Sequence, residues 1–365
     1  MLDTRTISLP DCRPLLADPD DLTVVFQPIV DVASAGIAGY EALARFPGTA
    51  TPDVWFAAAA DAGLGAELEA LAIIRALSAL PDLPADTFMA INVSPQLLGS
   101  APVMAALAAV PTLRRVVIEL TEHSPVDDLA VLREQTAALR GRGALIAIDD
   151  AGSGWSGLQQ LAELRPQLVK LDRSLVAGID NDPVKMALAE MVGAFSSRID
   201  AWLLAEGIET VGELAAFARL GVPLAQGWLF GRPGPGFATL TPQVVDLIRG
   251  QVARATLAES VASLLRPVRQ HEAGDDDGAP APYVVLDRTD MPTELVLSDL
   301  RTGQAYRAPV TLRVPPSAGV AETLQRALTR APAQRFDPVL CTARNGEVLG
   351  LLRVEDLASA SAAKA

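Results

Sequence analysis

The sequence predicts an irregular TIM-like (β/α)8 barrel with an antiparallel first strand, followed by a small α+β C-terminal domain. Eight short apolar runs alternate with segments of helical periodicity, a pattern that favours a closed barrel over an open sheet. The first run leads into Phe26-Gln27-Pro28-Ile29 and not into the glycine-rich turn that an open dinucleotide-binding sheet would need. Most runs end in or contain a polar side chain, so we expect the chemistry at the mouth where the strands converge.

The first two predicted strands, 22–26 and 37–43, are separated by too few residues for a crossover helix, so they should form an antiparallel hairpin. The chain then alternates between helical and extended periodicity. The predicted helices are 54–80, 103–110, 130–139, 158–164, 183–197 and 211–220, and the predicted strands are 88–93, 116–120, 145–148, 168–171, 202–205 and 224–226. A helix over about 243–265 should close the barrel or link it onward.

Composition divides the chain into four parts. Residues 1–20 form an N-terminal segment rich in Pro and Asp, and residues 21–250 form the barrel. Residues 251–282 contain a helix and an acidic Ala/Pro linker with too little apolar content to order itself, and residues 283–365 form an accessory domain.

Charge and residue usage argue against several classes of protein. A formal net charge of −14 is unsuited to binding DNA or RNA polymers by counterion release. No stretch approaches the roughly 18 apolar residues of a membrane helix, and residues 1–20 lack the hydrophobic region of a signal peptide, so we expect a cytoplasmic protein without membrane contact. Two distant cysteines and two histidines argue against sites built from several thiolates or imidazoles.

Hard oxygen donors stand at the ends of four predicted strands. They are Glu41, Asn92, Glu119 and the adjacent pair Asp149-Asp150. Such a set suits Mg²⁺ or Mn²⁺ better than zinc. One aspartate of an adjacent pair can bridge two cations while its neighbour binds one, and two cations can hold an attacking water and a leaving oxygen. The alternative is that the aspartates cap the following turn, but the other donors favour the metal site.

Lys170 is one of three lysines in a chain whose other basic positions are arginine. A compact ammonium beside carboxylates could orient or help to deprotonate a water held by the metal, and a plain ion pair is the alternative. Glu206 and Glu209 follow a later strand, and we expect them to divide between the site and the support of a neighbouring loop. An equally open role for Glu209 is to cap the next helix.

Several separated motifs resemble those of the EAL-domain family of cyclic di-GMP phosphodiesterases. The segments that carry the resemblance are Gln27-Pro28-Ile29, Glu41-Ala42-Leu43 with Arg45, Asn92-Val93-Ser94-Pro95, Glu119-Leu120-Thr121-Glu122, Asp149-Asp150, Lys170-Leu171-Asp172, Glu206-Gly207-Ile208-Glu209 and Gln226-Gly227. Their order along the chain makes them far more specific than a single Glu-Ala-Leu in an alanine-rich sequence.

The resemblance implies hydrolysis of cyclic di-GMP to linear pGpG with two divalent cations, Mg²⁺ or Mn²⁺. It implies that the metal ligands are Glu41, Asn92, Glu119, Asp149 and Asp150, with Asp149 bridging the two cations. It implies that Lys170 contacts the nucleophilic water and that Glu206 and Gln226 complete the metal and water shell. It also implies that Gln27 and Arg45 contact the substrate. It also implies a homodimer, because in the family the loop after the paired aspartates couples the metal site to a dimer contact.

That loop departs from the family pattern. The family usually has Phe-Gly and later Ser-Ser after the aspartates, whereas here Ala151 replaces a large apolar side chain and Gly157 replaces a hydroxyl. We expect the loop to pack differently and to move more, which bears on rate and regulation more than on the reaction.

The accessory domain shows the pattern strand 310–314, helix 320–330, strand 338–341, turn Asn345-Gly346 and strand 348–354. This pattern resembles a single CBS-type repeat. Such repeats usually bind adenine nucleotides in pairs, so with one copy a packing or dimerisation role is as open as nucleotide sensing.

Two other functions are compatible with a barrel that has an acidic mouth. A catalytically silent cyclic di-GMP receptor would use the same fold, but such receptors normally lose one or more ligands and none is lost here. A glycosidase needs two carboxylates and a sugar-stacking cleft, for which an aromatic content of 4% is low. The phosphodiesterase is therefore the leading prediction.

Overall fold

The computed structural model describes residues 10–120, 129–151, 161–274, 280–299, 302–343 and 346–362, with the backbone alone at 150–151 and 256–259. The chain divides into two compact units, Met1–Val252 and Ala253–Ala365. Among the described residues, no helix has both the length and the apolar character that crossing a bilayer requires.

Eight strands of the first unit close into a barrel in sequence order. They are β1 Thr23–Asp31, β2 Gly36–Arg45, β3 Phe88–Val93, β4 Val116–Leu120, β5 Leu145–Ala151, β6 Leu168–Leu171, β7 Trp202–Ala205 and β8 Leu224–Gln226. β1 is antiparallel to β2 and to β8, and the other neighbours are parallel. The predicted barrel with an antiparallel first strand is thus confirmed.

Helices alternate with the strands of the barrel. They are α1 Arg13–Ala17, α2 Pro52–Asp61, α3 Gly65–Leu77, α4 Ala101–Ala108, α5 Leu129–Gly141, α6 at 161–164, α7 Arg173–Val176, α8 Pro183–Arg198, α9 Val211–Arg219 and α10 Pro242–Glu259. α1 lies in the segment predicted as an N-terminal lead, and its Leu15 packs with Trp55 and Leu68 in one buried cluster.

The prediction of one helix over 54–80 is wrong, because α2 ends near Asp61 and α3 begins at Gly65. Gly63 adopts a φ of +72°, a left-handed conformation that glycine tolerates and that commonly ends a helix. The apolar periodicity continues through this break because both helices bury apolar residues in one cluster, which contains Trp55 and Ala59 of α2 and Leu68 of α3.

Strand periodicity determines where the polar side chains lie. Side chains two residues apart on a strand point to the same face, and one cluster of buried apolar residues has members on seven of the eight strands. In six strands the apolar residue of this cluster is followed two positions later by a polar one: Ala90 by Asn92, Val117 by Glu119, Ala147 by Asp149, Leu168 by Lys170, Leu204 by Glu206 and Leu224 by Gln226. A polar layer therefore lies above an apolar layer inside the barrel.

The second unit contains two sheets. β9 Arg269–Glu272, β10 Tyr283–Leu286, β11 Pro292–Ser298 and β12 Ala305–Pro309 form a sheet in the order β12-β11-β10-β9. β13 Arg313–Val314, β14 Val339–Thr342 and β15 Val348–Leu352 form the other, with helices α11 Val320–Leu328 and α12 Val354–Ala362. This confirms a small α+β C-terminal domain. The four-stranded sheet was not predicted: its strand β9 is largely exposed and lacks an apolar run, whereas β10 and β11 contain buried apolar residues.

Candidate active site

Lys170 is the centre of an ion-pair network inside the barrel. Its Nζ lies 2.7 Å from Glu206 Oε1, 2.9 Å from Glu119 Oε2, 3.2 Å from Asp149 Oδ1 and 3.9 Å from Glu41 Oε1. The side chains of Lys170 and Glu119 are 1% and 0% exposed, so water screens their charges little. Three strands and the residue directly after β7 thus contribute the carboxylates, and β6 contributes the one ammonium among them.

The charges of this network do not balance. One ammonium faces four carboxylates, so the fully ionised cluster would carry a net charge of −3. Burying uncompensated charge is costly, and a protein relieves the cost by taking up protons or cations.

The pKa values of the carboxyl groups follow from burial and from this imbalance. Burial, together with repulsion from neighbouring carboxylates, raises the pKa of Glu119 well above its usual value in spite of Lys170. Burial and the charge of Asp149 likewise raise the pKa of Glu206 to about 8. Burial also pushes the pKa of Glu41 upward, but the charge of Lys170 and hydrogen bonds from neighbouring amides outweigh it, so that this pKa is lowered.

Lys170 itself is held as an ammonium. Burial acts to lower its pKa, but the four carboxylates together outweigh burial and raise the pKa well above the usual value. An ammonium with a raised pKa donates hydrogen bonds and does not accept a proton from water. The ammonium can therefore donate hydrogen bonds to a ligand of the site, and the role of Lys170 toward a water stays a prediction.

A chain of amide hydrogen bonds joins Glu41 to its neighbours. Asn92 Nδ2 donates to Glu41 Oε1 at 2.8 Å, and Gln226 Nε2 donates to Glu41 Oε2 at 2.7 Å. Gln226 Nε2 also donates to Gln27 Oε1 at 3.1 Å, and Gln27 Nε2 donates to the carbonyl oxygen of Gly231 at 3.2 Å. The amides hold Glu41 by both oxygens and fix its direction.

Two buried oxygens of the network have no hydrogen-bond partner. They are Glu119 Oε1 and Gln226 Oε1. An unpartnered buried acceptor is unfavourable, and such an oxygen offers its lone pairs to a cation or a water. Among the described residues, no three carboxylate, imidazole or thiol groups are arranged as ligands of one ion. The carboxylates converge instead on Lys170, and the side chain of Asp150 lies outside the described residues.

A cavity of about 520 Å³ opens beside the network. Glu41, Asn92 and Asp149 line one part of it, and the wall formed by α2 and α3 is largely apolar, with Phe56 and Ile73 among its side chains. Arg45 also lines this cavity, and its Nη1 donates to the carbonyl oxygen of Ala44 at 2.9 Å. The cavity therefore combines oxygen donors, a guanidinium and an apolar wall.

Glu209 lies outside the network. It forms an ion pair with Arg173, which also donates to the carbonyl oxygen of Gly207 at 3.3 Å. The N-cap of α9 is Thr210, and the capping box is completed by Glu213, so the prediction of a possible capping role for Glu209 is wrong.

Two further polar residues lie beside the site: Glu69, which was not predicted from the sequence, and Ser94, which the sequence indicated only as part of a motif and without a role. Glu69 is 5% exposed on α3 and accepts hydrogen bonds from Ser94, and both residues line the cavity of about 520 Å³. The available signal was a glutamate within the apolar run Leu68-Glu69-Ala70, since a charged residue on a buried helix face requires a partner.

Comparisons with known proteins identify relatives of the barrel. The model of the EAL domain matches residues 15–233. The chain is 30% identical over 233 residues to the cyclic di-GMP phosphodiesterase RocR of Pseudomonas aeruginosa, which is 60% of this chain and 59% of that protein. It is 28% identical over 222 residues to the probable cyclic di-GMP phosphodiesterase PdeD of Escherichia coli, which is 57% of this chain and 41% of that protein. The chain thus covers less than two thirds of the length of these relatives.

Solved structures show the same barrel. A standalone EAL protein of Vibrio cholerae, solved with cyclic di-GMP bound, matches with a TM-score of 0.55 and 27% identity over 61% of this chain and 97% of that one. BlrP1 of Klebsiella pneumoniae, solved as a complex with manganese and cyclic di-GMP, matches with a TM-score of 0.55 and 30% identity over 61% of this chain and 58% of that one.

Proposed function

The chain belongs to the EAL domain family, and from this we propose that its barrel hydrolyses cyclic di-GMP to linear pGpG with the help of two divalent cations. The observation that carries the proposal is the buried network in which four carboxylates surround Lys170. A structural ion pair would need one carboxylate, whereas the surplus of negative charge calls for cations.

The residues of the network fit divalent cations. Glu119 Oε1 is buried without a hydrogen-bond partner. The raised pKa values of Glu119 and Glu206 indicate that the site has too little positive charge for its carboxylates, and bound cations would supply that charge. The residues that would hold the cations are Glu41, Asn92, Glu119, Asp149 and Asp150. When bound, the cations would polarise the phosphodiester and make water a stronger nucleophile. Oxygen donors favour Mg²⁺ or Mn²⁺.

The roles of the remaining residues follow from their charge and position. Lys170 would donate hydrogen bonds that hold the attacking water or a phosphate oxygen, with Glu206 fixing the direction of its ammonium. Gln226 would complete this shell through its unpartnered oxygen, and Gln27 would hold Gln226 in place while also contacting the substrate. Glu209 would support the neighbouring loop through Arg173.

The cavity suits a cyclic dinucleotide. Arg45 on its wall can pair with a phosphate, and the apolar side chains of α2 and α3 can cover a purine. A substrate with two negative charges approaches a chain with a net charge of −14, so its attraction must come from the cations and from Arg45.

Two relatives support this assignment. RocR is named a cyclic di-GMP phosphodiesterase, and BlrP1 was solved with manganese or calcium and cyclic di-GMP. A catalytically silent receptor is the second candidate. The retention of Lys170 and of every candidate ligand in the sequence favours the enzyme.

The decisive experiment is to incubate the purified chain with cyclic di-GMP and to quantify linear pGpG by chromatography with EDTA, Mg²⁺ or Mn²⁺. We expect pGpG with at least one of the two cations and none with EDTA. If the chain binds cyclic di-GMP but forms no pGpG under any of these conditions, the receptor hypothesis replaces the enzyme hypothesis.

We further propose that the chain forms a homodimer. An exposed apolar stripe on α8 supports this, since Val184, Leu188 and Met191 are 66%, 38% and 52% exposed at helical spacing. A contiguous apolar stripe on a helix surface is typical of an interface, and a second copy of the chain is the partner that is always present.

A further inference from the structure

Glu69 is a buried carboxylate outside the network of Lys170. It lies on α3, is 5% exposed, and uses both oxygens on one partner. The backbone N–H of Ser94 donates to Oε1 at 3.0 Å, and the hydroxyl of Ser94 donates to Oε2 at 2.5 Å. The two contacts clamp Ser94 by its main chain and by its side chain.

The fold alone does not require a carboxylate at this position. The neighbours of Glu69 on α3 are apolar and buried: Ala70 and Ile73 pack in the core of the barrel, and Leu68 packs with residues of α1 and α2. Burying a carboxylate without a cation beside it is costly, and an apolar residue would pack here without that cost. A carboxylate that is kept in such a place indicates that the geometry it imposes on Ser94 is needed.

Ser94 stands directly next to the candidate metal ligands. It is the first residue after β3, two positions beyond Asn92, and Glu69, Ser94, Asn92 and Glu41 line the same cavity. The side chain of Asn92 is held on one side by Glu41, to which its Nδ2 donates at 2.8 Å. Because the amide nitrogen of Asn92 faces Glu41, its amide oxygen points away from Glu41. That oxygen can serve as a ligand of a cation only if the end of β3 is fixed.

We infer that Glu69 is a positioning residue that fixes the ligand Asn92 by clamping Ser94 at the end of β3, an inference that rests on the proposed metal-dependent function. Asn92 is the neutral member of the ligand set, so it contributes least charge and depends most on orientation. Partners of metal ligands that act in this way typically change metal affinity or activity by about 10- to 100-fold when removed.

The test is the affinity of the full chain for Mn²⁺, measured by titration calorimetry or by the electron paramagnetic resonance of free Mn²⁺. We expect Glu69→Ala and Ser94→Ala each to weaken Mn²⁺ binding about 10-fold. Their double variant should bind no more weakly than the weaker single one, because both remove the same clamp. Glu69→Gln should retain most of the affinity, since its amide can accept from the N–H of Ser94 and donate to its hydroxyl.

Glu67→Ala is the matched control, because Glu67 lies on the same helix two residues away and is exposed. It should leave Mn²⁺ affinity unchanged. If Glu69→Ala does not fold, the hydroxyl deletion Ser94→Ala carries the test alone. Unchanged Mn²⁺ affinity in folded variants, or additive losses in the double variant, would overturn the inference.

The inference and the proposed function can fail separately. Wild-type protein that binds Mn²⁺ and makes no pGpG would contradict the hydrolysis, while the affinities of the variants would still decide the role of Glu69. If the wild type produces pGpG normally and the Glu69 and Ser94 variants bind Mn²⁺ as tightly as the wild type, only the role of Glu69 is contradicted. Wild-type protein that binds no Mn²⁺ would overturn both.

Discussion

Lys170 Nζ lies 2.7 Å from Glu206 Oε1, although the register of β6 and β7 pairs Lys170 with Leu204. Side chains alternate along a strand, so Glu206, two residues after Leu204, points to the same face as Leu204. Lys170 likewise lies two residues after Leu168, and Leu168 and Leu204 belong to the same apolar layer, so Lys170 and Glu206 meet in the polar layer above it. The distance is therefore a consequence of strand register and barrel closure together.

Divalent cations should stabilise the protein as well as activate it. Cations that bind the folded network and not the unfolded chain raise the free energy of unfolding, by about 2.7 kcal/mol at a free concentration 100 times the Kd. Thermal unfolding should shift upward when Mn²⁺ or Mg²⁺ replaces EDTA, and a sodium salt of equal ionic strength is the control. Full hydrolysis after exhaustive chelation would contradict the two-cation mechanism.

Glu41→Ala and Asp149→Ala should each lower the rate of pGpG formation by orders of magnitude while the fold survives. Both side chains lie at the mouth of the barrel, where residues serve the site more than the core. Initial rates at saturating Mn²⁺ and the circular dichroism of each variant check this. A folded variant that retains the wild-type rate would remove that residue from the ligand set.

Lys170→Arg and Lys170→Ala should both lose most of kcat. The forked guanidinium does not fit a place made for a compact ammonium, and alanine leaves the carboxylates without their counter-charge. The affinity for cyclic di-GMP should fall much less, because the cations and Arg45 would still hold the phosphates. Steady-state kinetics and direct binding measurements separate the two effects. Equal losses of binding and of kcat would make Lys170 a phosphate anchor.

Stability should depend on pH through Glu69, whose pKa is raised by burial from 4.5 to about 7. The folded protein keeps this proton while the unfolded chain has released it, so the stabilisation is full below about pH 4.5 and is lost as the pH rises through about 7. Since one pKa unit corresponds to about 1.4 kcal/mol, Glu69 should account for a loss of about 3 kcal/mol in the free energy of unfolding over this range, in addition to the losses from Glu119 and Glu206, whose pKa values are also raised.

Denaturant unfolding between about pH 4 and 8 should show that Glu69→Gln loses about 3 kcal/mol less than the wild type over this range, because glutamine does not titrate. Glu67→Gln makes the same chemical change at an exposed position of the same helix and should leave the pH profile as in the wild type. A profile that Glu69→Gln does not alter would refute the assignment.

Leu188→Glu or Met191→Glu should dissociate the proposed homodimer, because a charge in the centre of an apolar interface is costly. Light scattering coupled to size-exclusion chromatography gives the mass of each variant. Glu190 lies on α8 away from the stripe, so the Glu190→Ala variant is the control and should remain dimeric. A wild-type protein that is monomeric at micromolar concentration would contradict the dimer.

The sequence by itself determined the barrel, its antiparallel first strand and its family, because these depend on periodicity, connection length and the order of motifs along the chain. It also indicated Lys170, since the scarcity of lysine, with three in a chain rich in arginine, is visible without coordinates.

The tertiary structure decided the state of Lys170 and the clamp between Glu69 and Ser94. Glu41, Glu119 and Asp149 come from three strands and Glu206 directly follows a fourth, and only closure of the barrel brings them to one ammonium whose pKa they raise. The clamp joins residues 25 positions apart on a helix and a strand end. Electrostatic and hydrogen-bond energies depend on distances through space and on burial, and neither can be read from the order of residues.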